Sequence, residues 1–121
     1  MSDNSVLRTQ DSHVAILTLN RPDVLNSFNQ NMARALQAQL SECQNDKRVR
    51  SILLNANGRG FCAGQDLSEV CKDGQPAKID LGEIVRECYN PIISALMTLE
   101  KPVVCAVPGV AAGAGANLAF A

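Results

Sequence analysis

The chain has 121 residues, 46% of them hydrophobic, 19% charged and 3% aromatic, with a formal net charge of −1. That length fits one domain with enough aliphatic side chain to offset chain entropy, which excludes a disordered segment. The balanced charge excludes the electrostatic footprint of a nucleic-acid-binding protein, and the longest apolar runs fall short of a membrane span.

In chain order, Val6–Arg8 and Val14–Leu19 are aliphatic runs separated by the polar Gln10-Asp11-Ser12, which predicts a β-hairpin. Asn20-Arg21-Pro22 ends it, because proline cannot donate to a continuing ladder. Asn29 is placed to cap a helix reaching Asn45, with Met32, Leu36, Leu40 and Cys43 on one apolar face. Val49–Ala56 follows as a strand whose continuous apolar centre suits cover on both faces. Asn57–Gly60 is a turn, and the segment Asp73–Lys78, with Gly74 and Pro76, reads as a mobile loop. Asp80, with Glu83 three residues on, caps a second helix that Pro91 should kink or split. Val103–Val107 is expected as a short buried strand, and Gly113-Ala114-Gly115 opens the last helix. The resulting order is that of an α/β protein.

Chemistry-bearing side chains are sparse. His13 is the only histidine, and the five cysteines, Cys43, Cys62, Cys71, Cys88 and Cys105, include no CxxC pair. No metal site is expected, and reduced thiols are the simplest state. Cys62 lies in a loop of interest, but no histidine is placed to activate it, so it reads as a small core hydrophobe. Lys47-Arg48-Val49-Arg50 reads as a solvated surface, or as a place where ligand phosphates could sit. The polar N-terminus has no signal-peptide core, so the expected location is the cytoplasm.

Two Gly/Ala-rich loops remain, one around Ala63-Gly64 and one around Gly113-Ala114. Neither has the lysine of a phosphate-cradling loop or the spacing of a dinucleotide fingerprint. Such loops leave backbone N–H groups accessible where strands end, and two of them aimed at one point would form an oxyanion hole.

Three segments together resemble the enoyl-CoA hydratase/isomerase (crotonase) superfamily. They are Asn20-Arg21-Pro22 with Leu25-Asn26, then Gly60-Phe61-Cys62-Ala63-Gly64-Gln65-Asp66-Leu67, then the run from Lys101-Pro102 to Gly113-Ala114-Gly115. The resemblance implies a crotonase-like spiral of ββα units, with residues 1–121 forming the N-terminal portion of an acyl-CoA-binding domain and the spiral cut before its C-terminal part. It implies that Ala63 and Ala114 supply the two oxyanion-hole N–H groups. Val24, Asn26, Gln65, Asp66, Leu67 and Gly113 would contact the substrate, with Asp66 also capping the next turn. Coenzyme A would be part of the substrate, with no separate cofactor, and a homo-oligomer, trimeric or a dimer of trimers, is expected.

The family's hydratases carry a glutamate where this chain has Asn117, which cannot act as a general acid or base near neutral pH. Details such as Tyr89-Asn90-Pro91 and the stretch from Gly109 to Ala116 are most similar to ring-1,2-epoxyphenylacetyl-CoA isomerases, which use a later acid expected beyond Ala121. The implied function is thioester polarisation in an isomerase of phenylacetate catabolism, without activity for these residues alone. The alternatives are a fatty-acid enoyl-CoA hydratase and a non-catalytic acyl-CoA-binding or complex-forming subunit. Uncovered apolar surface on the second helix and the last strand is expected as well.

Overall fold

The computed structural model describes residues 4–72, 74–76 and 80–121. The expected hairpin is there: β1 (Val6–Asp11) pairs antiparallel with β2 (Val14–Leu19), and Ser12 takes a left-handed φ of 55° at the turn. A 3₁₀ turn (Pro22–Val24) leads to α1 (Gln30–Asn45), capped by the Asn29 side chain, which accepts the Met32 N–H. The next strand, β3 (Ser51–Ala56), lies parallel to β2, and β7 (Val103–Cys105) lies parallel to β3. The main sheet therefore runs β1-β2-β3-β7.

Side-chain alternation shows how the sheet is covered. Ala15, Leu17 and Leu19 of β2 and Ile52 and Leu54 of β3 are buried in one core with Met32, Leu36, Leu40 and Cys43 of α1. Alternate positions, Ile16, Leu53 and Val104, share the opposite face and are half-buried or exposed. Two expectations are corrected by this. β3 is buried on one face rather than both, and β7 is a half-exposed edge strand of three residues rather than a buried run to Val107. Among the described residues β7 has a neighbouring strand on one side only, and Val104 is 62% exposed.

A second, smaller ladder lies beyond the main sheet. The short buried β4 (Gly60–Cys62) pairs parallel with β8 (Val110–Ala111). Between these strands come α2 (Leu67–Val70), then β5 (Cys71–Lys72) and β6 (Gln75–Pro76), which pair antiparallel around Gly74. The expected loop at Asp73–Lys78 is thus partly a small hairpin; Asp73, Ala77 and Lys78 lie outside the described residues.

Pro91 neither breaks nor sharply interrupts its helix. α3 (Leu81–Ile84), capped by Asp80, runs into a π-helical segment (Val85–Tyr89) and then α4 (Asn90–Thr98), with helical dihedrals at each junction. Proline stands in the first turn of α4, where its missing N–H is tolerated, and the wider turn before it absorbs the ring. Lys101 donates to the carbonyls of Cys43 and Asp46, closing the C-terminal end of α1 beside the start of β7. The last element is α5 (Ala114–Phe120).

Candidate oxyanion site

The site lies at the carboxyl ends of β2 and β3, where the chain leaves the sheet. Asn20, Arg21 and Pro22 act there as a brace. Asn20 donates to the Asn4 carbonyl at 3.0 Å and accepts from the Asn57 amide at 3.0 Å. Arg21 reaches the Ser27 carbonyl at 2.5 Å and the Asp66 carboxylate at 2.9 Å. Leu25 and Asn26 both adopt left-handed φ angles, reversing the chain.

Asn26, expected to touch substrate, is completely buried instead. Its Oδ1 accepts the Arg21 N–H, and its Nδ2 donates to the carbonyls of Asn57 and Gly60 at 2.9 and 3.0 Å. Both amide protons are used to tie the turn to Asn57 and Gly60, and the complete burial of the side chain keeps it from a ligand. Asp66 makes the cap expected of it, but not the expected substrate contact. Its carboxylate accepts from Arg21, the Ser68 N–H and the Ser68 hydroxyl, so it caps α2 and locks the loop. Burial pushes the Asp66 carboxyl up, but the hydrogen bonds from Ser68 and the Arg21 guanidinium outweigh burial and hold it below the usual range.

The backbone donors of the Ala63 loop can be followed one by one. The Ala63 N–H donates to the Leu25 carbonyl at 3.0 Å. The Gly64 N–H points at the Cys62 sulfur. The Asp66 N–H donates to Phe28, whose own N–H donates to Gly64. Among the described residues, the Gln65 N–H has no partner. The expected Ala63 donor is therefore overturned: its side chain lines the cleft, but its N–H closes the neighbouring turn. The tie to Leu25 joins segments far apart in sequence, and no local pattern announces it.

In the second loop, Ala112 donates to the Cys62 carbonyl at 3.0 Å and Gly115 donates back to Ala112 at 2.9 Å. The N–H groups of Gly113 and Ala114 have no partner among the described residues. A cleft of about 510 Å³ is lined by Val24, Ser27, Ala63, Gly64, Gln65, Leu67, Gly113 and Ala114. A second, mostly apolar cavity of about 310 Å³ is lined by Phe28, Tyr89, Ile92, Ala114, Asn117 and their neighbours. Ala114 lines both, so it stands where the two spaces meet.

Glycines allow this approach. A Cβ on Gly64 would come within 3.1 Å of the Ala112 oxygen and 3.6 Å of the Ala114 nitrogen, and its φ of +104° suits glycine alone. A Cβ on Gly115 would strike the Cys62 carbonyl oxygen at 2.2 Å.

Of the expected substrate contacts, Val24, Gln65, Leu67 and Gly113 line the cleft, and Asn26 and Asp66 do not. Phe28, absent from the sequence reading, and Tyr89, which entered it only as part of the Tyr89-Asn90-Pro91 resemblance, form an edge-to-face pair with centroids 6.0 Å apart. Nothing in the sequence marks their pairing, since it is tertiary. Burial pushes the Cys62 thiol up to about 11, against a smaller opposing effect of the Gly64 N–H, which leaves it a poor nucleophile. Lys47, Arg48 and Arg50 stand at the amino end of β3, away from the cleft, and Arg48 pairs with Asp46. Among the described residues, no group of three or more His, Cys, Asp or Glu could hold a metal, and no helix is long and apolar enough to cross a membrane.

Residues 9–121 match the family described as enoyl-CoA hydratase/isomerase. The chain belongs to that family. Its fold is the crotonase fold, superimposing on a solved Pseudomonas aeruginosa protein with a TM-score of 0.86 at 36% identity, over 99% of this chain and 51% of that one. A monofunctional enoyl-CoA isomerase from M. smegmatis gives a TM-score of 0.77 at 31% identity, over 98% of this chain and 47% of that one. Among curated enoyl-CoA hydratase/isomerase relatives, the 1,2-epoxyphenylacetyl-CoA isomerase of Escherichia coli (strain K12) is 49% identical over 95% of this chain and 44% of its own length. A probable enoyl-CoA hydratase of Rhodobacter capsulatus is 40% identical over 100% of this chain and 45% of its own length. The chain spans about half the length of the curated relatives it matches.

Proposed function

We propose that this chain binds an acyl-CoA thioester and polarises its carbonyl between the N–H groups of Gln65 and Ala114, as the binding and polarising part of an isomerase acting on an enoyl- or epoxy-acyl-CoA. The observation that carries the reading is that Gln65 and Ala114, on two abutting loops, keep undonated backbone N–H groups, with that of Gly113 beside them, while the N–H groups of Asp66 and Gly115 are engaged. The CoA portion would follow the open cleft past Val24 and Leu67. The acyl group would enter the apolar cavity beside Phe28 and Tyr89. The thioester oxygen would sit where the two spaces meet, near Ala114. Negative charge growing on that oxygen as an α-proton leaves is what two fixed donors stabilise. Loss of one such donor elsewhere costs on the order of 10²–10³ in rate.

Isomerisation is favoured over hydration because Asn117, which lines the acyl cavity, offers an amide and no exchangeable acid. No carboxylate lines either cavity among the described residues, so this part polarises and does not itself shuttle the proton. The 49% identity to a 1,2-epoxyphenylacetyl-CoA isomerase supports an aromatic or ring-derived acyl group and a place in phenylacetate catabolism. Coenzyme A enters as part of the substrate, and a cytoplasmic homo-oligomer is the expected setting.

Ala114→Pro tests the reading, because proline fits the first position of a helix and removes only the N–H. A non-reactive acyl-CoA should bind with a red-shifted thioester carbonyl stretch, and A114P should lose most of that shift. A thioether analogue lacking the carbonyl should bind both proteins alike. An unchanged carbonyl stretch in A114P would sink the proposal.

A further inference from the structure

The Gln65 side chain is held at both ends. Its Nε2 donates to the Glu69 carboxylate at 3.1 Å, and its Oε1 accepts from the Tyr89 hydroxyl. This orientation is the one the chemistry allows: a carboxylate only accepts, so the amide nitrogen faces Glu69 and the amide oxygen faces the phenol. Glu69 is itself anchored, because its other oxygen accepts the Gln30 N–H at the start of α1 at 3.0 Å. Burial pushes the Tyr89 phenol well above its usual range, so it remains a donor through the neutral range.

Tyr89 closes the π-helical segment, and its ring forms part of the acyl cavity wall with Phe28. A π turn carries one more residue per hydrogen-bonded ring than an α turn and re-aims the side chains around it. The same residue therefore touches the space assigned to the acyl group and the side chain of the residue that carries a donor N–H.

We propose that Tyr89 is a positioning residue: its hydroxyl holds the Gln65 side chain, fixes the direction of the Gln65 N–H, and thereby links occupancy of the acyl cavity to polarisation of the thioester. The inference rests on the reading of Gln65 and Ala114 as the two donors. Without the phenol, Gln65 keeps its N–H but loses the restraint on its side-chain oxygen, and the donor wanders from the carbonyl.

The experiment uses the whole chain with a non-reactive acyl-CoA and its thioether analogue, reading affinity by calorimetry and carbonyl stretch by difference infrared spectroscopy. Tyr89→Phe keeps the ring and removes the hydroxyl. It should weaken thioester binding about five- to ten-fold and shrink the red shift, with a smaller loss of thioether binding. Gln65→Ala, which keeps the N–H and removes the clamp, should do the same, and the double variant should be no worse than Gln65→Ala alone. Equal carbonyl shifts in Tyr89→Phe and the parent, or additive losses in the double variant, would overturn the positioning role. If Ala114→Pro also leaves the shift intact, the donor reading falls with it. If Ala114→Pro abolishes the shift while Tyr89→Phe does not, only the role of Tyr89 falls.

Discussion

Asn26 carries much of the local architecture. Three hydrogen bonds from one buried amide join the Arg21 turn, Asn57 and Gly60, and the residue holds a left-handed φ of 55° that asparagine tolerates. Asn26→Ala strands a donor and two carbonyls in the interior, so unfolding in urea should show a loss of about 2–4 kcal/mol. Asp66 gives a pH signature. Its folded-state pKa is depressed, so its contribution is complete above the unfolded carboxylate value, about 3.9, and is lost as pH falls through the lower folded value. Denaturation followed from pH 6 to pH 2 should therefore steepen on the acid side, and Asp66→Asn should flatten that limb. At this scale the sequence was legible where chemistry is local. The Asn29 cap and the Asp66 cap both follow from residue type and spacing. It misled at Ala63 and Asn26, because the partners of those groups sit on segments distant in sequence.

Elements meet at the site through glycine, and two neighbouring glycines serve for different reasons. Gly115 is wanted for space, since a methyl there collides with the Cys62 carbonyl, whereas Gly113 has open room but a φ of 54° with ψ of −125°. Gly113→Ala should cost about 1–3 kcal/mol through backbone strain with α5 still seated. Gly115→Ala should push α5 off β4, losing more stability and acyl-CoA binding together. Thermal melts with calorimetry separate the two outcomes. The α1 face and the hairpin were readable because their periodicities are strong. Pro91 was readable only as a disturbance: a proline says that the ladder must adjust, and the surrounding packing decides that it adjusts through a wider turn. β7 looked buried because its residues are apolar, and apolar composition does not say which strand ends up at an edge.

For the molecule as a whole, the apolar residues left outside are informative. Val104, Val107, Val110 and Phe120 are 62%, 47%, 62% and 89% exposed, and Val85 and Met97 stand out from the helices. That agrees with the uncovered surface expected of the second helix and last strand. Sedimentation velocity should show concentration-dependent association, and Phe120→Glu with Val104→Glu should reduce it. The β4–β8 ladder carries a consequence for how the molecule comes together. The hairpin β1–β2 closes over a short loop, but β4 must wait for β8, which arrives only after α2, α3, α4 and β7 have been threaded. Long closures are slow and are repaid late. The candidate site is thus expected to form late and open early. Native-state hydrogen exchange should find the Ala112 amide, bonded across to Cys62, exchanging well before the amides of β2 and β3. A ligand that bridges Gln65 and Ala114 would slow that exchange by fastening the two halves of the ladder, so binding would double as the last step of folding.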